Sequence, residues 1–206
     1  MENLKTWQKI GIATAAVIGI IGIAGIASAE ESAAWTSIEI SGKLSDKISL
    51  KVAEELRFSD VADPELARQH TDISVACSVG NVVTAVTGYR NTSAGEHRPY
   101  VGLGVSVIRG TVDVDSYTRL ELRDFDTFRA RTDISATLTT ATFATPYVSN
   151  EVFVDDSGLT GNRASLGVSK AINSTFGVSG YYMLDTAMGD ATTHSHVVGA
   201  GLSITL

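Results

Sequence analysis

The chain holds a single cysteine, Cys77, among 206 residues, so no disulfide can form within it. It also lacks a basic excess: 16 Lys+Arg stand against 23 Asp+Glu. Phosphate binding needs a basic face, which excludes nucleic acid as a partner. Aromatic residues make up only 7%, few for the packed core of a soluble sandwich, where large rings dominate. After residue 34 nothing repeats at helical spacing, and no G-x-S-x-G nucleophile motif occurs. Without disulfides or helices, a large sheet closed on itself is the way left to make such a chain stable.

What is present begins with Lys5 and Lys9 ahead of an apolar run from Ile10 to about Ala27. Ala27-Ser28-Ala29 then supplies an A-x-A cleavage signal before Glu30. The expected division is a secretory signal peptide over 1–29 and a β-barrel domain over 30–206. The apolar run is long for a signal peptide, and an uncleaved anchor helix is the alternative. Removing Lys5, Lys9 and Glu2 with the leader leaves 14 Lys+Arg against 22 Asp+Glu, a net charge of −8.

Beyond the leader, apolar and polar residues alternate in segments of about ten, the length of a tilted membrane-spanning strand. The segments are roughly 35–44, 48–58, 70–79, 82–91, 97–108, 111–124, 128–138, 146–155, 162–170, 174–184 and 194–206. One face of each is aliphatic, as in Val101, Leu103, Val105 and Val107, or Ala164, Leu166 and Val168. The opposite faces carry Ser, Thr, Gly and charge. The fold expected is all-β: an antiparallel up-and-down transmembrane β-barrel of about 10–12 strands. Eleven segments are counted, although antiparallel closure calls for an even number. Short turns are expected after segments one, three, five and nine, and longer loops after two, four, eight and ten.

Hairpin register then decides which charges meet. A turn at Arg109-Gly110 sets Val107 opposite Val112 and Arg98 opposite Glu121. A loop over 125–127 sets Leu122 opposite Ala130, Glu121 opposite Arg131, and Arg119 opposite Asp133, with Arg123 against Arg129 as a misfit. The candidate functional residues form a luminal charge ladder: Glu55, Arg57, Arg98, Arg119, Glu121, Arg123, Arg129, Arg131, Asp133, Glu151 and Arg163. With Lys51, Asp72, Asp113 and Asp115 the inward charges come to 8 positive and 7 negative. A one-sided ring would suggest an ion-selective path. Near balance suggests a lumen filled by paired side chains.

His194 and His196 share a face as two metal ligands would, but a third is not evident and no metal site is expected. No cofactor motif occurs. Cys77 lies on an aliphatic face and needs no role beyond packing.

Several local motifs carry a resemblance. They are Glu55-Leu56-Arg57-Phe58, Gly88-Tyr89-Arg90, Leu120-Glu121-Leu122-Arg123 and Arg129-Ala130-Arg131, then Pro146-Tyr147 leading to Asn150-Glu151-Val152-Phe153, and Arg163 four residues before Gly167. In order and spacing the chain resembles an uncharacterised family of outer-membrane β-barrel proteins, a domain of unknown function. The chain differs in ending on Leu206 rather than an aromatic residue, and in having few aromatics for interfacial girdles. The resemblance implies an exported barrel in the cell envelope, with no established activity.

The expected function is a structural or porin-like outer-membrane barrel with a narrow or side-chain-filled charged lumen and no catalysis. Its expected partners are outer-membrane lipid, the barrel-assembly machinery and a small solute. The alternatives are an exported soluble lipocalin-like barrel that binds an apolar ligand, and a membrane-embedded hydrolase using His70, His97 or the later pair. The sequence sets no oligomeric state.

Overall fold

The structure is a computed structural model that describes residues 32–206 apart from 141, 142 and 190. The leader over 1–29, and with it the choice between signal peptide and anchor, lies outside the described residues. Among those described there is no helix. Eleven strands form one closed barrel. They are β1 (Ser32–Lys43), β2 (Ile48–Phe58), β3 (Leu66–Val79), β4 (Val83–Thr92), β5 (His97–Arg109), β6 (Val112–Arg123), β7 (Thr127–Leu138), β8 (Thr145–Asp155), β9 (Gly158–Ala171), β10 (Phe176–Ala187) and β11 (Thr193–Thr205).

Each strand pairs antiparallel with its chain neighbours, and the cylinder closes where β1 meets β11 in parallel, Ser32 facing His196 and Ser41 facing Thr205. This resolves the parity problem. An odd number of alternating strands closes only if the first and last run the same way. Ser32 and Leu206 therefore lie at opposite ends, which name the two ends below. The Leu206 end carries the connections 44–47, 80–82, 110–111, 139–144 and 172–175; the Ser32 end carries 59–65, 93–96, 124–126, 156–157 and 188–192. The expected asymmetry of loop length holds for 59–65 and fails at 156–157. There Gly158, at φ 107°, allows a tight turn, a register shift follows Phe153, and β9 starts four residues earlier than the sequence pattern suggested.

Two hairpin registers differ from expectation by two residues. Arg109 faces Val112, so Val107 faces Val114 and Tyr100, not Arg98, faces Glu121. The next loop is Asp124–Asp126, not 125–127. Asp124 and Phe125 adopt φ 50° and 60°, and Asp124 Oδ1 accepts from the His97 amide at 2.8 Å. Glu121 consequently faces Arg129, Arg119 faces Arg131, Tyr117 faces Asp133, and Arg123 faces Thr127 rather than Arg129. A shift of two residues keeps every side chain on its face, because the strand period is two. The face assignments were therefore correct where individual pairs were not.

The aliphatic stripes point outward. Leu103 is 58% exposed and Leu166 61%, whereas inward Arg119 is 5% exposed and Glu121 fully buried. A soluble barrel of lipocalin type requires the reverse, and this geometry overturns that alternative. Three pairs of polar residues on the outer wall bond to one another across strands, as lipid contact would demand. Thr71 donates to Glu54 at 2.7 Å, Thr118 and Thr132 share a bond of 3.0 Å, and Asn162 donates to Asn150 at 3.0 Å.

Candidate functional site

All the ladder residues but Asp133 share the Ser32 half of the lumen, because β2, β6 and β8 deliver them at their C-terminal ends and β5, β7 and β9 at their N-terminal ends. Glu121 is the hub. It pairs with Arg119 at 2.5 Å and accepts from Arg129 Nε at 2.9 Å. Arg119 also lies 3.6 Å from Asp72 and over the Tyr100 ring at 4.5 Å. Asp72 in turn accepts from Arg90 Nε at 2.9 Å and from the Tyr100 hydroxyl at 2.6 Å.

Glu151 forms a second hub. It pairs with Arg131 and, at 3.3 Å, with Arg163, whose Nε also reaches Asp185 at 3.1 Å. Glu55 accepts from Arg57 Nε at 2.7 Å. Three aromatic faces cushion the cations, as planar guanidinium groups allow. Arg57 and Arg163 lie 3.7 and 4.8 Å from the Trp35 ring centre. Phe153 receives Arg129, Arg131 and Arg163. Arg119 and Arg131 face each other as like charges, tolerable because each has its own carboxylate on the far side.

At the water-facing rim, Glu96 in the 93–96 connection binds Arg98 and accepts from Arg123 Nε at 2.5 Å. Burial opposes its ionisation, but the hydrogen bonds from Arg98 and Arg123 and their charges outweigh it. The carboxyl is held down at about 2.

Asp133 is the ladder residue that stands apart. Expected to meet Arg119, it has no cation within ion-pair distance among the described residues and lies further toward the Leu206 end, beside Tyr117. Conversely, four members of the network lie outside the expected ladder. Arg90 faces Asp72 across the β3–β4 hairpin, whose connection runs over 80–82 rather than Gly80-Asn81 alone, and Asp185 faces Arg163 across the β9–β10 hairpin but had been assigned to a loop. Glu96 precedes a strand, and Asp72, although placed inward, showed no partner by hairpin register. The aromatic cushions Trp35 and Phe153 follow from strand alternation with the charges, a signal that was available.

The Leu206 half differs. Its inner wall is mainly Ser, Thr, Ala and Gly. Inward tyrosines lie flat against it: Tyr147 faces Gly167, where a Cβ would come within 2.5 Å of the ring, and Tyr181 facing Gly199 repeats the arrangement. The bore there stays open as a cavity of about 670 Å3, lined by residues that include Ser37, Ser74, Tyr117, His70, Arg119, Arg131 and Asp133. His194 and His196 sit on the outer wall, with His194 Nδ1 3.0 Å from the Thr186 hydroxyl and His196 against the Tyr182 hydroxyl. His97 meets Tyr89 in the same way. No group of three metal-ligating side chains converges among the described residues.

Among solved structures, the chain is similar to the NanC porin, with a TM-score of 0.53 at 10% identity over 82% of this chain and 91% of that one. The KdgM porin gives 0.49 at 14% identity, over 79% and 87%. At such identities the first likeness speaks for the barrel fold alone. A search among curated proteins found no match. The family model described as "Protein of unknown function (DUF2490)" matches residues 32–195, from the first strand into the last. The chain belongs to the DUF2490 family.

Proposed function

We propose that the protein is an outer-membrane β-barrel, structural or porin-like, whose lumen is obstructed by its own side chains over half its length. One observation carries this reading: the outer wall is aliphatic and largely exposed while the inner charges of the Ser32 half are buried and paired. Exposed aliphatic stripes on a closed cylinder match acyl chains, and closure leaves no unpaired edge for lipid to meet. The fold shared with the NanC porin agrees with this. Export, insertion by the barrel-assembly machinery and outer-membrane residence follow from the same reading. The ladder acts as a structural plug rather than as catalytic machinery, and a small solute enters from the open half.

Fractionated cell envelopes should hold the protein in the outer membrane, and the purified barrel should need detergent to stay monodisperse. In planar bilayers it should insert and conduct poorly. A protein monodisperse without detergent ends the membrane reading. Steady conductance of a wide, open pore ends the plug.

A further inference from the structure

Charge is not spread evenly along the bore. The plug holds eight arginines against six carboxylates. On the open side, β6 and β7 present Asp113, Asp115 and Asp133 with no ion-pair partner among the described residues, and Lys51 is taken by Glu39 at 3.4 Å. The 670 Å3 cavity touches both regions, with Arg119, Arg131 and His70 at its floor and Asp133 on its wall.

The floor also has unused hydrogen-bonding capacity. His70 is 2% exposed, and neither ring nitrogen has a partner. Arg119 Nε is buried and unpartnered as well. Buried polar atoms without partners are costly and call for a partner, and both residues line the roomy polar space.

We propose that this cavity binds a small zwitterion, with its anionic group against His70 and Arg119 and its ammonium group against Asp133. This deepens the reading of the protein as a barrel that admits a small solute, and rests on it. A simple anion meets the acidic wall, and a simple cation meets the arginine floor. A molecule carrying both charges a few atoms apart satisfies both ends. Asp115 and Asp113, next toward the Leu206 opening on the inner face of β6, extend the acidic side outward for entry.

The test uses the full barrel folded in detergent micelles, titrated calorimetrically with 4-aminobutanoate, butanoate and butylamine. The zwitterion should bind about tenfold tighter than either singly charged analogue. Asp133→Asn should reduce 4-aminobutanoate to the level of butanoate without weakening butanoate. His70→Gln should weaken both carboxylates and leave butylamine unchanged. Equal affinity for all three ligands overturns the proposal. So does butanoate matching the zwitterion, or the absence of zwitterion binding at tens of millimolar. Heat-modifiable gel mobility reports folding for each variant, and the wild-type comparison decides the matter if a variant fails to fold. Bilayer insertion is measured separately, so a barrel that inserts but binds nothing sinks this proposal alone.

Discussion

The two halves of the lumen are built on the same strands and solve opposite problems. Toward Ser32, large charged side chains fill the bore, and each is held by a partner, on its own strand for Glu55 and Arg57 and from another strand or loop for most of the rest. Toward Leu206, small side chains and tyrosines laid over glycines keep the bore empty. The backbone is the same in both. What differs is side-chain volume at inward positions, so a barrel of this size is blocked or open by residue choice rather than by strand number. The filled half carries the interactions whose loss is costly, and the open half tolerates change.

The sharpest way to break this contrast is Glu121→Ala. It leaves Arg119 and Arg129 buried without their shared carboxylate, and removing one partner of a buried pair costs about 3–5 kcal/mol. Urea unfolding in micelles should show that loss; a loss under about 1 kcal/mol would mean water enters the plug. Next is a matched pair in the outer wall and open half. Leu103→Arg places a charge against acyl chains and should cost about 2–4 kcal/mol near the midplane. Ser135→Arg, inward and opposite Asp115, should be nearly neutral by the same measurement. Equal costs would erase the distinction between wall and lumen.

The smallest effect concerns pH. Glu96 has a folded pKa of about 2 against an ordinary 4.5. Its contribution is therefore complete above about 4.5 and is lost as pH falls toward 2. The wild-type advantage over Glu96→Gln should be constant near neutrality and vanish in acid. An advantage that persists at pH 2 would show that the clasp is not ionic.

Strand existence, face assignment and the inward position of every ladder residue were legible, because a period of two survives any even slip. Exact partners were not. The 124–126 loop uses left-handed conformations at Asp124 and Phe125 that residue type does not announce, and one residue of loop placement moves every pair by two. Partners across several strands, such as Asp72 with Arg119, escape hairpin reasoning altogether. Asp133 looked like a ladder member because its spacing from Arg131 fits. Only closure of the cylinder shows that the cations end one step before it.

The parallel seam has a kinetic meaning. Each of the other ten pairings joins strands that are adjacent in sequence and forms as a local hairpin. Ser32 meets His196 only after the whole intervening chain has been made and arranged. Sealing thus depends on the longest loop closure in the molecule, and a nascent chain stopped before β11 remains an open, curled sheet with two sticky borders.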